Sequence, residues 1–132
     1  MADKMRYDLV SPERKLASDE ADMISIPGAE GDLTALANHA PFLTTLRPGV
    51  VKIHNGGQVT EYVVTGGFAE LSPDGASILA EEAVAKADVT ADWLADRAKA
   101  AADVLEAASG ESRAAAALRV NDFKSLGALL GH

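Results

Sequence analysis

Three histidines and one pair of adjacent glutamates are the residues of this chain best suited to chemistry. His39 lies in a segment rich in Pro and Gly, His54 ends an apolar run, and His132 is the last residue. No two of them have the spacing of paired metal ligands, and the chain has no cysteine to supply thiolate ligands. We therefore predict no metal site and no cofactor. Taken alone, His39 is interpreted as a loop residue with a local hydrogen bond.

The other candidate groups also have structural explanations. Glu81 and Glu82 fall in a predicted strand, where neighbouring side chains point to opposite faces and cannot share a substrate. Gly56-Gly57 and Gly66-Gly67 lack the spacing of a phosphate-binding loop, so turns explain both pairs. No serine lies in a nucleophile-elbow pattern. The sequence therefore contains no recognisable constellation for an enzyme.

Charge and hydropathy limit the partners and the location of the chain. The formal net charge is −8, which disfavours a nucleic-acid partner because phosphate binding needs basic surfaces. No apolar run approaches the roughly 18 residues of a membrane span, and residues 1–8 lack the apolar core of a signal sequence. We expect a cytoplasmic chain without direct membrane insertion, which would reach a membrane only through a partner.

Proline and alanine divide the chain into two parts. All five prolines precede Asp74, whereas 14 of the 46 residues from Ala87 onward are alanine. Proline punctuates sheets and turns, and alanine is the best helix former. We predict an N-terminal β-domain over residues 1–87 and a C-terminal α-helical domain over residues 88–132.

Short apolar runs separated by turn residues predict the strands of the first domain. Asn55-Gly56-Gly57 is the strongest hairpin signal, and Pro73 and Gly75 favour a second turn. Many short strands at intervals of about ten residues indicate a β-sandwich or a barrel. The predicted strands are residues 5–10 (an outer strand), 14–18, 23–26, 42–46, 50–54, 58–65, 68–71, 76–81 and 83–85. Between them, segment 28–53 is expected to form a rigid corner presenting Glu30, Asp32, Asn38 and His39.

The second domain has the pattern of two helices. Thr90 is a plausible N-cap, Ser109-Gly110 ends the first helix, and residues 111–130 form the second. The short connection predicts a two-helix hairpin whose facing surfaces are mostly alanine. The predicted apolar positions are Trp93, Leu94, Ala98, Ala101, Val104, Leu105 and Ala108 in the first helix, and Leu118, Phe123, Leu126, Leu129 and Leu130 in the second.

Three short motifs in this order resemble the epsilon subunit of F-type ATP synthases, called delta in mitochondria. The first is Leu9-Val10-Ser11-Pro12-Glu13, and the third is Gly66-Gly67-Phe68-Ala69-Glu70-Leu71. Between them the chain carries Glu30-Gly31-Asp32, His39-Ala40-Pro41, Leu46, Pro48-Gly49 and Ile53. The resemblance covers essentially the whole chain. It implies a sandwich of about ten strands followed by an antiparallel helical hairpin.

The resemblance also implies a function without catalysis. The sandwich would bind the gamma subunit and sit on the c-ring, turning with the rotor to couple proton transport to ATP synthesis. Glu30, Gly31, Asp32 and His39 match the family's c-ring-facing corner, which favours a partner-facing or loop-ordering role for His39. The chain would lie at the cytoplasmic face of the bacterial inner membrane as a peripheral subunit.

The hairpin would serve as a latch in such a protein. Raised toward the alpha/beta catalytic head, it could inhibit ATP hydrolysis, and its Lys and Arg side chains could meet acidic surfaces there. Some members bind ATP on the first of these helices, and Arg97-Ala98 matches the end of that motif. The motif's aspartate, three residues earlier, is Leu94 here, so Arg97 is a doubtful nucleotide-binding residue.

Two other classes of function compete with this hypothesis. One is a free-standing β-sandwich that binds a small ligand or peptide, and the other is an enzyme whose site is not recognisable. Co-purification separates the first of these from a coupling subunit, because only the coupling subunit is expected to accompany a large membrane ATPase.

Overall fold

The computed structural model describes residues 4–132, so the first three residues of the predicted N-terminal domain lie outside the described residues. The strands are β1 (Met5–Ser11), β2 (Arg14–Ala21), β3 (Met23–Gly28), β4 (Gly31–Leu36), β5 (Phe42–Leu46), β6 (Gly49–Asn55), β7 (Gln58–Val64), β8 (Gly67–Ser72), β9 (Gly75–Ala80) and β10 (Ala83–Ala85). The helices are a 3₁₀ turn (Lys86–Asp88), α1 (Ala91–Ala107) and α2 (Glu111–Leu130). The chain divides into two compact units, one ending at Lys86 and one running from Ala87 to His132.

The ten strands hydrogen bond in one sheet that folds over on itself. Their order is β10-β7-β6-β3-β5-β8-β9-β1-β2, with β4 paired to β3. All pairs are antiparallel except β1 with β9. Strand β3 pairs with β6 through residues 23–25 and reaches β5 at Gly28, so it joins the two halves of the sheet. The predicted fold class, a sandwich of about ten strands followed by two helices, is confirmed.

Alternating apolar residues from both halves of the sheet form one core. Leu9 on β1, Ile24 and Ile26 on β3, Val51 on β6 and Ile78 on β9 are fully buried in it. Burying each such side chain contributes about 1.5–3 kcal/mol, so this cluster is the main source of sandwich stability. Every member of the cluster lies between Met5 and Ala83, within the first unit.

Two predictions about the strands are wrong. Residues 5–10 were expected to be an outer strand, but β1 lies between β2 and β9 because it hydrogen bonds along both of its edges. The segment after Pro27 was expected to be irregular, yet Gly31–Leu36 forms β4 and pairs along the whole of β3. A two-residue turn, Ala29-Glu30, connects them.

The glutamate pair is also placed differently from the prediction. Glu81 and Glu82 lie in a bend between β9 and β10 and not within a strand. The strand argument against a shared site therefore does not apply to them. Backbone hydrogen bonds hold this bend against residues 65–66. The Glu81 N–H donates to Gly66 O, and the Thr65 N–H donates to Glu82 O.

The helical unit begins as predicted. The Thr90 hydroxyl accepts a hydrogen bond from the Trp93 N–H at 3.0 Å, which confirms the N-cap. Gly127 of α2 lies against Leu94 of α1, and the Arg113 guanidinium donates to the Leu105 carbonyl at 3.2 Å. The buried residues of the two helices are Leu94, Ala101, Ala116, Phe123, Leu126 and Gly127.

Three of the predicted apolar positions in the helices are exposed. Val104 is 59%, Leu118 56% and Leu129 63% exposed, so these three members of the apolar pattern do not contribute to a buried helix face. The buried face of each helix is therefore narrower than the apolar pattern of the sequence indicated.

Candidate functional site

The β3–β4 turn carries three of the four residues that the resemblance assigned to a partner surface. Gly28 pairs with Gly31 across the turn, and Gly31 has a φ of 141°, which favours glycine. Glu30 is exposed at the tip, and the side chain of Asp32 is 70% exposed at the start of β4. The turn therefore presents two carboxylates to solvent.

Arg47 ties this turn to the β5–β6 connection. Its backbone N–H donates to Pro27 O at 3.0 Å, and its Nη1 donates to Gly28 O at 2.6 Å. Its Nη2 donates to Asp32 Oδ1 at 2.5 Å. The Ala29 N–H donates to Thr45 O at 2.9 Å, so both sides of the turn are held. The sequence analysis did not predict this role for Arg47. The available signal was that no other Lys or Arg occurs between Lys15 and Lys52, so Arg47 is the only cation of this segment that could pair with Asp32.

His39 lies at the other end of β4. The five steps from Gly31 to Leu36 extend about 17 Å at the usual rise of a strand, and His39 follows three residues later. Asn38 has a left-handed φ of 64°, and its N–H donates to Pro73 O at 3.3 Å. The His39 ring Nδ1 lies 2.6 Å from Ala40 O. The expected single corner is therefore two separate places joined by a strand.

An exposed apolar surface on the outside of the sheet was also not predicted. Val10, Leu79, Phe68 and Thr45 are paired in one row across β1, β9, β8 and β5. Leu43 stands two residues before Thr45 on the same strand and the same side. We call Val10, Leu43, Phe68 and Leu79 the apolar stripe. Phe68 and Leu79 are each 52% exposed and Leu43 is 63% exposed, which is unusual for neighbouring large apolar residues.

A shallow groove of about 330 Å³ continues the apolar stripe toward the end of the sheet that carries the β3–β4 turn. Pro12 and Gly67 line it together with Val10, Phe68 and Leu79. Strand β8 approaches β9 so closely at Gly67 that a Cβ there would overlap the carbonyl oxygen of Leu79. The groove depends on this close approach of the two strands.

At the opposite end of the sandwich, Asp22 fixes the β6–β7 turn. Its Oδ2 accepts the Gly56 N–H at 2.8 Å, and its Oδ1 lies 3.0 Å from Lys4 Nζ. The Gly56 N–H and the Lys4 ammonium hold the pKa of Asp22 below its usual value. Lys4 also donates to Asn55 Oδ1 at 2.5 Å, so one cation serves two turn residues.

The candidate nucleotide residue is occupied by neighbours in its own helix. The Arg97 guanidinium lies 4.5 Å from the centroid of the Trp93 ring and 3.1 Å from Asp96 Oδ2. Leu94, which stands where the motif has aspartate, is buried. Among residues 4–132, no group of three or more His, Asp or Glu side chains is placed to hold a metal ion.

Comparison with known proteins decides the family. Residues 4–86 match the family model described as "ATP synthase, Delta/Epsilon chain, beta-sandwich domain". The chain is 44% identical over 133 residues to the ATP synthase epsilon chain of Maricaulis maris, an alignment that covers 100% of both chains. This chain belongs to the ATP synthase epsilon family. The resemblance inferred from its three motifs is thereby confirmed.

Further relatives agree with this assignment. The chain is 48% identical over 112 residues to the ATP synthase epsilon chain of Paramagnetospirillum magneticum, covering 84% of each. A chain in the Euglena gracilis mitochondrial ATP synthase structure shares the fold with a TM-score of 0.75 at 24% identity, over 96% of this chain and 81% of that one. As an epsilon chain, this protein has the ATP synthase complex as its partner. Neither helix in residues 4–132 combines the length and the apolar character needed to cross a bilayer.

Proposed function

We propose that this epsilon chain is a non-catalytic rotor subunit of the central stalk, which couples c-ring rotation to the catalytic head through gamma. The observation that carries the proposal is the similarity to ATP synthase epsilon chains along the full length. The two compact units supply a rigid sandwich for rotor contacts and a separate helical unit for regulation. The chain would lie peripherally at the cytoplasmic face of the bacterial inner membrane, held there by its partners.

The c-ring-facing surface in this proposal is the β3–β4 turn with Glu30, Gly31 and Asp32. Its exposed carboxylates suit a partner loop that carries cations, and its ties to the β5–β6 connection make it stiff. A stiff contact is what torque transfer between two rotating parts requires. His39 lies beyond the far end of β4, so it reaches the ring only if the contact extends along that strand.

The gamma-facing surface in this proposal is the apolar stripe. Large apolar side chains that are half exposed in an isolated chain are the usual anchors of a stable interface. The stripe runs across four hydrogen-bonded strands, so backbone pairing holds its side chains in fixed positions. The apolar stripe shares no residue with the β3–β4 turn, so the proposal assigns the two partners to separate sets of residues.

The helical unit is proposed to act as the regulatory latch. Its interface contains Leu94, Phe123 and Leu126 as large buried side chains, with alanine and glycine between them. Exposed Lys99, Arg113 and Lys124 are available for acidic surfaces of the alpha/beta head. Lys99 already pairs with Asp103 at 2.9 Å on the same helix, so it would exchange one carboxylate for another.

Reconstituted ATP synthase tests the coupling role. The measurement is ATP-driven proton pumping per ATP hydrolysed, in vesicles that contain the complex with each variant. Asp32→Asn and Glu30→Gln are expected to lower this ratio while the isolated chains keep their melting temperatures. His39→Ala tests whether the contact extends along β4. An unchanged ratio in both turn variants would exclude the β3–β4 turn as a coupling contact.

A further inference from the structure

We propose that Arg47 is a positioning residue that orients Glu30 toward the c-ring, with Asp32 as its anchor and not as a direct ring contact. This inference rests on the proposed coupling function of the β3–β4 turn. The two exposed acids of the turn then have different roles. Asp32 is engaged by Arg47, while Glu30 has no ion pair among residues 4–132 and faces solvent.

The geometry of Arg47 supports a positioning role. One guanidinium nitrogen holds the carbonyl of Gly28 before the turn, and the other holds the carboxylate of Asp32 after it. Glu30 stands between these two points, next to Gly31 with its φ of 141°. Backbone bonds hold the start of the turn at Pro27 and Ala29, and the Arg47 guanidinium also reaches its far side at Asp32. Arg47 belongs to the β5–β6 connection, so its two bonds hold both ends of the turn from outside the β3–β4 hairpin. This restricts the direction of the Glu30 side chain.

The shape of arginine matters here as well as its charge. The guanidinium is planar and has donors on separate nitrogens, so it reaches a carbonyl and a carboxylate at once. A lysine side chain is shorter and has one terminal nitrogen, which would have to reach both acceptors from a single position, whereas Arg47 reaches them from two nitrogens. The Arg47→Lys variant would therefore keep the charge at this end of the sandwich and lose one of the two restraints.

The Arg47 side chain is expected to contribute little to the free energy of folding. Arg47 is outside the buried core cluster, and its partner Asp32 is largely exposed, so their pair contributes little to folding. The neighbouring Leu46 is buried, and Pro48 and Gly49 are buried beside it. These residues keep the β5–β6 connection in place when the Arg47 side chain is shortened. Arg47→Ala is therefore expected to fold.

The first measurement is amide hydrogen exchange of the isolated full-length chain, read at Ala29, whose N–H donates to Thr45 O. Arg47→Ala is expected to speed exchange there by roughly threefold to tenfold, with a smaller effect for Arg47→Lys. The matched control is Lys4→Ala, which removes a cation that holds two turn residues at the opposite end of the sandwich. Unchanged exchange in Arg47→Ala would overturn the proposal without touching the coupling function.

The second measurement is the pumping ratio of the reconstituted complex. Arg47→Ala and Asp32→Asn are each expected to lower the ratio, and the double variant to lower it no further than either single variant. The double variant Glu30→Gln with Arg47→Ala is expected to have the same pumping ratio as Glu30→Gln alone. The carboxylate that Arg47 would position is already missing in Glu30→Gln. Lys4→Ala is expected to keep the wild-type ratio.

The outcomes distinguish the two proposals. If Glu30→Gln and Asp32→Asn both leave the ratio unchanged, the coupling role of the turn fails and the positioning role fails with it. If Glu30→Gln lowers the ratio while Arg47→Ala loosens the turn and pumps normally, only the positioning role is overturned. If Asp32→Asn and Arg47→Ala have independent, additive effects, Asp32 contacts the ring directly and is not an anchor.

Discussion

The guanidinium of Arg97 lies over the indole ring of Trp93, with 4.5 Å between Cζ and the ring centroid. The two residues are four positions apart on α1, so they share one face of the helix. Asp96 holds the same guanidinium from the side at 3.1 Å. Arg97 therefore already has a ring and a carboxylate as partners, and a phosphate would have to compete with both.

We predict from this arrangement that the isolated chain does not bind ATP at useful concentrations. Leu94 supplies no carboxylate at the motif position, and a chain with a net charge of −8 repels a polyanion. Calorimetric titration with ATP checks the prediction, with Arg97→Ala as the control that removes the cation of the matching Arg97-Ala98 pair. Saturable binding at submillimolar ATP would contradict it, and binding that persists in Arg97→Ala would assign the site to another face of the helices.

The sandwich is predicted to fold without the helical unit. Its core cluster lies wholly between Met5 and Ala83, so a chain ending at residue 88 keeps every member. Circular dichroism and thermal melting of this shortened chain, beside the full-length chain, are the measurements. A cooperative transition is expected in both. A broad transition in the shortened chain alone would show that the two units depend on each other for folding.

Gly67→Ala is predicted to destabilise the sandwich severely. Gly67 has a φ of 127°, and an added Cβ would overlap the Leu79 carbonyl, so strain and crowding together are expected to cost about 3 kcal/mol or more. Gly56→Ala is the control: its φ is also positive, but no atom lies within 4 Å of the added Cβ, so about 1 kcal/mol is expected. Urea unfolding of the two variants compares these costs. Equal costs would show that crowding at Gly67 is relieved by movement of β9.

The contribution of Asp22 to stability is predicted to depend on pH. The folded chain holds the Asp22 pKa below its ordinary value of 3.8, so its stabilising effect is fully present above that value. The effect is lost as the pH falls through the lowered folded pKa. Asp22→Asn is therefore expected to melt earlier than the wild type near neutral pH, with the difference shrinking in acid. Asp74→Asn, at an exposed aspartate in the β8–β9 turn, is the matched control for the removal of one surface carboxylate.

The apolar stripe is predicted to bind gamma. Phe68→Ala and Leu79→Ala are each expected to weaken the affinity for purified gamma by about tenfold or more, since half-exposed anchors lose their contact area in the complex. Val59→Ala on β7 is the control, because Val59 is 51% exposed but lies outside the stripe. Surface plasmon resonance measures the affinities. Equal losses for Val59 and Phe68 would argue against a localised interface.

Local chemistry in the sequence was enough to predict many elements. Asn55-Gly56-Gly57 and Ser72–Gly75 form the turns that their residue types favour, with Gly56 and Gly57 at positive φ. Thr90 caps α1 because its hydroxyl can accept a backbone N–H three residues later. Residues 111–130 form α2 as predicted. In each case the determining interaction joins residues close in sequence, so the pattern alone contains the information.

The tertiary structure decided what depends on distant partners. Nothing in residues 5–11 specifies the parallel pairing of β1 with β9, which arises because both strands bury the same core face. Strand β4 contains Gly31 and Asp32, which are weak strand formers, and exists through its pairing with β3. That strand separates Glu30 from His39 and brings Asp32 to Arg47, fifteen residues away. Side chains far apart in sequence acquire their roles only when long-range pairing fixes which ends of the sheet they share.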